Sequence, residues 1–250
     1  LKVWRPLLRW LAQFEPRTEV PDDAVFGGIG GRTAPHIYSE QEIADLLAAA
    51  RHIGPCRLRG ATYEALFGLL ASTGLRVSEA VRLLDRDVDL KDGILTVRRT
   101  KFAKSRQVPM HPSTTQALRR YHRLRDPQVE MTEDMPFFVG WRGRRRGLML
   151  GQRQVDRVFM QLRLQLGWPN RGTHHAPRVH DLRHTFVVRR MLAWHADGTD
   201  IDQAMLGLST YVGHAMVTNT YWYLSAVPEL MALAAKRFES YQTKPEAGNG

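Results

Sequence analysis

The sequence predicts a mainly α-helical fold with a small antiparallel β-sheet, which places the chain in the α+β class. Several segments between residues 40 and 166 carry apolar residues every three or four positions, the period of a helix with one buried face. Two short segments rich in β-branched residues, 94–98 and 106–110, flank a basic loop. Such a pair is typical of a β-hairpin, so we expect one small sheet among helices.

The chain is strongly basic. Its 250 residues include 36 lysines and arginines against 25 acidic residues, a formal net charge of +11. Because a basic protein releases counterions when it binds nucleic acid, this excess predicts a polyanionic partner, with a merely solvated basic surface as the alternative. No apolar run approaches the roughly 20 residues that span a bilayer, so no membrane partner is expected. Cys56 is the single cysteine, which excludes an internal disulfide and is typical of a cytoplasmic protein.

The N-terminal part of the sequence indicates a domain boundary. Residues 1–14 predict a short amphipathic helix, and residues 27–31 contain four glycines, which predicts a flexible connector. A surface loop inside one domain would carry the same glycines, so that alternative stays open. Because the chain begins with Leu1 in the middle of the helical pattern, we expect it to be a fragment of a longer protein.

The first helices after the connector have clear start and stop signals. Ser39 and Glu42 form a capping box, which predicts the beginning of a helix. A second helix over residues 58–72 should end at Gly74, because glycine adopts the left-handed cap conformation without a steric penalty. A further helix is expected from about Val77, and the predicted hairpin follows it.

The second half of the chain predicts two more helices and a basic loop. Pro112 is placed to begin one helix, and residues 155–166 have the spacing of a core-facing helix. Between them, residues 137–139 predict a short buried strand. The loop that follows combines one tryptophan with four arginines, which suits contact with DNA phosphates and stacking on a base. Its candidate contact residues are Arg142, Arg144, Arg145 and Arg146.

Six reactive or cationic side chains stand in distinctive local contexts. They are Arg76, Lys101, His180, Arg183, His214 and Tyr223. His180 and Arg183 are three residues apart and therefore share one helix face, and Tyr223 follows His214 by nine residues. The set offers hydrogen-bond donors, permanent cations and a nucleophilic oxygen without a carboxylate cluster that could hold a metal. Such chemistry suits a phosphodiester better than a peptide or a sugar.

In order, context and most spacings, these six residues resemble the catalytic domain of the tyrosine recombinase (phage integrase) family over roughly residues 37–240. The resemblance implies an integrase-type fold and an enzyme that cleaves and rejoins double-stranded DNA at specific sites without a metal or other cofactor. It implies that residues 1–20 are the remnant of a helical core-binding domain, that 21–36 are a linker and that 37–250 are the catalytic domain. It also implies a homotetramer on DNA, linked by exchange of the C-terminal helix, with docking of that helix onto its own domain as the alternative.

The resemblance implies a role for each residue. Tyr223 would form a covalent 3′-phosphotyrosine bond, while Arg76 and Arg183 would present planar forks of donors to the phosphate oxygens. Lys101 would protonate the leaving oxygen, and the histidines of the set would be further donors to the phosphate. Glu79 would orient Arg76 or a histidine. Two further basic residues near the hairpin are candidates for DNA contact, Lys104 and Arg106.

Several alternatives remain at this point. Lys104 competes with Lys101 as the general acid, and Tyr221 competes with Tyr223 as the nucleophile. The pair His180 and His184 is close to the helical zinc-hydrolase pattern, which would make the chain a metallohydrolase. A type IB topoisomerase would use similar chemistry to relax DNA, and a DNA-binding protein without turnover would have the same basic surface.

Overall fold

The structure is a computed structural model, and it describes residues 4–21, 35–98, 105–129, 132–168, 176–213 and 218–226. Contacts between residues divide the chain into two compact units, residues 1–33 and 34–250. The glycine-rich segment and the residues predicted as the linker lie at this division, mostly outside the described residues. In the first unit, helix α1 (Trp4–Leu11) leads into turns in which the rings of Trp10 and Phe14 lie 5.0 Å apart.

The second unit is mainly helical with one small sheet, as the sequence predicts. Among the described residues its helices are α2 (Glu40–Arg51), α3 (Arg57–Thr73), α4 (Val77–Ala80), α5 (Pro112–Arg125), α6 (Gln152–Gln165), α7 (Asp181–Ala196), α8 (Ile201–Val212) and α9 (Thr218–Ala226). Its strands are β1 (Val88–Asp89), β2 (Ile94–Val97) and β3 (Arg106–Pro109).

Helix α3 is the centre of this unit, and it packs against α2, α5 and α7. Its sequence explains this position, because apolar or small residues occur on nearly every side of the helix and ten of its seventeen residues are buried. Gly60 allows the backbones of α2 and α3 to approach closely, since a Cβ there would lie 2.0 Å from the carbonyl oxygen of Arg51. The predicted capping box at the start of α2 is present, with both Ser39 and Glu42 making their reciprocal hydrogen bonds.

The predicted hairpin is confirmed and has a third strand. Strands β2 and β3 pair antiparallel, with Leu95 opposite Val108, and the short β1 pairs antiparallel with the other edge of β2. Leu95 and Val108 are fully buried, which fixes the register because a shift by one residue would turn both side chains to the other face.

Helices α7, α8 and α9 form a second apolar cluster. It contains Val187, Val188, Met191, Met205, Leu208, Val212 and Tyr223. Strand β3 contacts α8, so the hairpin and this cluster meet at the C-terminal end of α8. That meeting point is where the basic and nucleophilic residues of the sequence motifs come together.

Two of the predicted elements differ in the structure. Residues 137–139 are buried as expected, but they do not form a strand, and of the three only Val139 makes an isolated bridge, opposite Met149. The helix that begins at Val77 is a single turn, because the chain must reach the β-sheet directly afterwards. Within the described residues, no helix has both the length and the apolar character needed to cross a membrane.

Candidate active site

The site begins at the glycine that ends α3. Gly74 has φ of 63°, the left-handed conformation predicted from the sequence, and its amide N–H closes the helix on the carbonyl of Leu70. A Cβ at this position would lie 2.5 Å from the ring of Phe186 on α7, so glycine also permits close packing of the two helices. The turn leaves the Gly74 carbonyl facing α7, where it accepts a hydrogen bond of 2.7 Å from Nη1 of Arg183.

Arg76 follows this turn and caps α4. Its Nη1 donates to Oε1 of Glu79 at 2.9 Å, and its Nη2 donates to the backbone carbonyl of Gly213 at 2.9 Å. Its backbone N–H also donates to the same Glu79 carboxylate. The guanidinium of Arg76 is therefore held by the residue one turn later and by the residue directly before His214.

Glu79 is buried, with 8% of its side chain exposed, and it joins Arg76 to Arg106 at the start of β3. Both Nη atoms of Arg106 donate to the Glu79 carboxylate, at 3.2 and 2.9 Å, and its Nε donates to the carbonyl of Tyr211 at 2.8 Å. Burial alone would raise the pKa of Glu79, but the hydrogen bonds and charges of Arg106 and then Arg76 outweigh it, so the pKa is lowered. Glu79 is therefore an anion between two arginines.

This geometry changes the interpretation of Arg106. The sequence makes Arg106 a candidate for DNA contact, but only 10% of its side chain is exposed and its guanidinium is engaged by Glu79 and backbone carbonyls. Arg106 also explains Gly213, where a Cβ would lie 2.6 Å from Nη1 of Arg106. In the structure Arg106 connects the hairpin to the end of α8 and does not present a free guanidinium to a DNA backbone.

Arg183 is the most deeply buried cation of the site, with 3% of its surface exposed. Burial, followed by the positive charge of Arg76, lowers its pKa to about 10, while Glu79 and Tyr223 act in the opposite direction. Its Nη2 has no hydrogen-bond partner among the described residues. A buried guanidinium with an unfilled donor and a second arginine nearby has the chemistry that suits an anion.

Two histidines lie on one side of the N-terminal part of α7. His180 occupies the N-cap position of the helix, and one face of its ring is exposed. Protein atoms surround the rest of the ring. This partial burial, followed by the positive charge of Arg183, lowers the pKa of His180. The ring of His184 lies one turn further on, 4.9 Å from the ring of His180 and edge-on to it. Burial, followed by His180, lowers the pKa of His184 to about 4, so both imidazoles are neutral at neutral pH.

Tyr223 on α9 points toward these histidines. Its hydroxyl lies 2.6 Å from Nδ1 of His184, and only 2% of the residue is exposed. The rival tyrosine of the sequence, Tyr221, is 38% exposed and lies on another side of the same helix. Of the two, Tyr223 is therefore the tyrosine that the structure brings next to the α7 histidines and Arg183.

Other predicted site residues lie elsewhere. Lys101, Lys104 and His214 fall outside the described residues. In the basic loop, Arg142 and Arg144 are exposed, Arg146 donates to the Gln128 carbonyl and the backbone of Arg145 belongs to a short 3₁₀ turn. The ring of Trp141 lies between two guanidinium groups, 5.6 Å from Arg59 and 5.8 Å from Arg142. The loop thus presents a cationic, aromatic surface, as expected from its composition.

The zinc interpretation finds little support in the donor set. Across residues 35–98, 105–129, 132–168, 176–213 and 218–226, no group of three or more His, Cys, Asp or Glu side chains could hold a metal ion. Nδ1 of His184 faces Tyr223 and not a shared centre with His180. The acidic residue between the two histidines, Asp181, is buried and pairs with Arg178, which it binds through both carboxylate oxygens.

The sequence suggested a role for His184 only as a metal ligand and gave no sign of its contact with Tyr223. The four-residue spacing from His180 was the available signal, because residues at i and i+4 share a helix face. It also missed the pairing of Glu79 with Arg106, which joins residues 27 positions apart and leaves no local pattern.

Comparison with known proteins identifies the family of the chain. The family model described as the phage integrase family matches residues 37–229. A putative integrase/recombinase, y4rB of Sinorhizobium fredii, is 39% identical over 241 residues, covering 94% of this chain and 75% of that protein. The tyrosine recombinase XerC of Chromobacterium violaceum is 30% identical over 223 residues, covering 89% of this chain and 67% of its own length. A similar fold occurs in the post-cleavage complex of XerH site-specific recombinase bound to palindromic difH substrate, with a TM-score of 0.64. The two chains are 19% identical, and the match covers 89% of this chain and 59% of that one.

The chain therefore belongs to the phage integrase family of tyrosine recombinases. It is an enzyme that breaks and rejoins DNA strands, and the resemblance seen in the sequence is confirmed. Membership favours recombination over the topoisomerase and metallohydrolase alternatives.

Proposed function

We propose that Tyr223 attacks the scissile phosphate of double-stranded DNA and forms a covalent 3′-phosphotyrosine bond, while Arg76 and Arg183 bind the non-bridging oxygens. The bond stores the energy of the broken phosphodiester, so the strand can be rejoined without an external energy source. The relative named putative integrase/recombinase supports integration or excision of DNA as the biological outcome.

The unfilled donor of Arg183 is the observation that carries this proposal. Burying a guanidinium is costly unless its donors are used, and here one edge of Arg183 is held by the Gly74 carbonyl while Nη2 has no partner among the described residues. A phosphate oxygen supplies both the missing acceptor and the missing negative charge. Donors fixed in advance around developing charge stabilise a transition state, and losing one typically costs about 3 kcal/mol in the barrier.

The remaining roles rest on the resemblance. Lys101 is proposed as the general acid that protonates the leaving 5′ oxygen, with Lys104 as the competing candidate, and both lie outside the described residues. His180 and His214 are proposed as further donors to the phosphate. His180 is neutral at neutral pH because of its lowered pKa, so it can donate one hydrogen bond without adding charge to an already cationic site.

A test is single-turnover cleavage of a pool of nicked duplexes with randomised sequence, in which the nick traps the covalent adduct. Tyr223→Phe should abolish the adduct seen on a denaturing gel, because it removes the attacking oxygen, while DNA affinity should change little. Tyr221→Phe is the matched control on the same helix and should form the adduct at the wild-type rate. Peptide mapping of the phosphotyrosine to Tyr221 would refute the assignment.

We further propose that four copies assemble on two DNA duplexes, with each C-terminal helix docking into a neighbouring copy. Residues 228–238 carry an amphipathic pattern of about three turns, which is marginal as an isolated helix and must be buried against a partner. A chain truncated after Ala226 retains Tyr223 and the other proposed catalytic residues. It should cleave nicked duplexes at the normal rate and fail to recombine two sites, whereas recombination at the full-length rate would refute exchange of the helix.

A further inference from the structure

One contact of the nucleophile has no function in the mechanism proposed so far. The hydroxyl of Tyr223 lies 2.6 Å from Nδ1 of His184, a short distance for an O–H···N hydrogen bond, and the two rings are 5.4 Å apart. The contact joins α7 to α9, whose residues are 39 positions apart in the sequence. The attacking tyrosine must lose its phenolic proton as the bond to phosphorus forms, so the atom that faces that proton has chemical importance.

The charges around His184 decide its protonation state, and its tautomer then decides the direction of this hydrogen bond. His180, Arg178 and Arg183 all disfavour a positive charge on the His184 ring. Among the charged groups that act on it, only the buried Asp181 is negative. Without DNA the His184 imidazole is therefore neutral and has one free lone pair, and the negative charge of a bound phosphate favours its protonation during the reaction. With the ring proton on Nε2, Nδ1 accepts the hydrogen bond that the Tyr223 hydroxyl donates.

His180, the other histidine of the pair, is placed for a different task. It caps α7 with one face open to solvent, and its neighbours include Arg183 and Arg76, the two proposed phosphate ligands. His184 instead packs among Trp222 and Tyr223 of α9. The two imidazoles therefore divide the site into a phosphate side and a nucleophile side.

We propose that His184 is the proton acceptor for the nucleophile, an inference that rests on the proposed role of Tyr223. As Oη of Tyr223 forms its bond to phosphorus, its proton moves to Nδ1 of His184, and the bond from phosphorus to the 5′ oxygen breaks with that oxygen taking a proton from the general acid. Rejoining reverses each transfer: the 5′ hydroxyl attacks, and His184 returns its proton to the phenolate of Tyr223. No oxidant, reductant or metal is required.

A merely structural contact between α7 and α9 is the competing explanation, and two replacements separate it from proton transfer. In His184→Asn the side-chain oxygen can occupy the position of Nδ1, so the hydrogen bond to Tyr223 is retained but the residue cannot take up a proton. In His184→Ala the hydrogen bond is lost as well. General base catalysis typically contributes a factor of about 100 to 10,000, so both variants should cleave at least about 100-fold more slowly than the wild type.

Two modified reactants make the test specific to the nucleophile. The first is a nicked random-sequence duplex with sulfur in place of the bridging 5′ oxygen, because a thiolate leaves without a general acid. This substrate should restore the cleavage rate of Lys101→Ala and leave both His184 variants slow. The second is a ring-fluorinated tyrosine at position 223, whose phenol is much more acidic. It should restore most of the cleavage rate that His184→Asn loses, because the phenolic proton is already absent before the attack. If His184→Asn melts more than a few degrees lower, the wild type and His184→Ala are compared with the fluorinated tyrosine in place, and proton transfer predicts that most of the rate difference between them disappears.

The outcomes are distinct. Wild-type chain that forms no adduct at Tyr223 refutes the proposed function and this inference together. Wild-type chain that forms the adduct while His184→Asn cleaves within a few-fold of its rate overturns only the inference and makes His184 a positioning residue. A slow His184→Asn that stays slow with the fluorinated tyrosine also overturns it, because the defect would then lie in geometry and not in proton transfer.

Discussion

The buried carboxylate between Arg76 and Arg106 provides the sharpest test of how this site is built. We predict that Glu79→Gln, which keeps the side-chain volume and removes the charge, destabilises the fold by at least about 3 kcal/mol, the usual cost of removing one partner of a buried ion pair. The side chain of Glu79 is 8% exposed and that of Arg106 is 10% exposed, so the Arg106 guanidinium cannot be resolvated without moving β3 or α8, whereas Arg76 is 35% exposed and can regain water. The new amide would also turn an NH₂ group toward one of the arginine donors that the carboxylate now accepts.

The chain contains a matched control. Glu64 accepts two hydrogen bonds from Arg51 with similar geometry, at 3.0 and 2.6 Å, but the Arg51 side chain is 60% exposed and that of Glu64 25%. Because water screens such a pair, Glu64→Gln should cost about 1 kcal/mol or less.

Urea denaturation of the wild type and the two variants, followed by circular dichroism at neutral pH, measures the change in free energy of unfolding that each substitution causes. A loss for Glu79→Gln that equals the loss for Glu64→Gln would refute the reasoning, because burial is the variable that separates the two pairs. Glu79→Gln should also slow covalent adduct formation even where it remains folded, since Arg76 would lose its fixed orientation.

Three further outcomes follow from the geometry. Gly74→Ala should destabilise the chain by about 2 to 4 kcal/mol, because alanine is strained in the left-handed conformation and its Cβ would overlap the ring of Phe186. The control is Gly198→Ala, where φ is 72° and a Cβ would have no neighbour within 4 Å. It should show only the conformational cost of about 1 to 2 kcal/mol in the same denaturation assay. Because the pKa of His184 is lowered from 6.5 to about 4, the folded chain binds fewer protons than the unfolded chain between these two pH values. The free energy of unfolding should therefore fall by about 2 kcal/mol as the pH falls from 7 to 5. His184→Asn should flatten this dependence. Arg142 and Arg144 are exposed, so replacing both by alanine should reduce the slope of log affinity against log salt concentration by about 1 to 2. Fluorescence anisotropy with a random-sequence duplex measures this slope. An unchanged slope would show that the loop does not contact DNA.

Local signals account for most of the fold that the sequence predicted. The capping box at Ser39, the left-handed glycine at position 74 and the helix start at Pro112 each depend on a few consecutive residues, and all three are present. The hairpin was equally accessible because its two strands alternate in burial and lie close in sequence. Residues 137–139 were harder, since an apolar run shows burial without showing whether a strand partner is available.

Contacts between distant segments were not accessible in the same way. The position of Arg106 in a basic stretch favoured DNA contact, but its actual neighbours are Glu79 and the carbonyls at the end of α8, more than 100 residues further on. The partnership of His184 with Tyr223 likewise depends on how α7 packs against α9. Charge composition shows that cations are abundant, while only the tertiary structure shows which of them are already paired.

The way Arg76 and Arg183 are held leads us to expect that lysine could not replace either of them in the proposed binding of phosphate. Arg183 is fixed by the carbonyl of Gly74, which lies beside Arg76, and Arg76 is fixed by the carbonyl of Gly213, which lies beside His214. Each catalytic segment therefore anchors the guanidinium of another, and the site forms only when all of them are packed together. A planar guanidinium can bind a backbone carbonyl on one edge and a phosphate oxygen on the other, whereas the single ammonium of lysine has no second edge in a fixed orientation. The lowered pKa of Arg183 shows that its cation is less stable in the closed site than in water. Under the proposed function, a bound phosphate would offset that imbalance by supplying the negative charge and the acceptor that Arg183 lacks among the described residues.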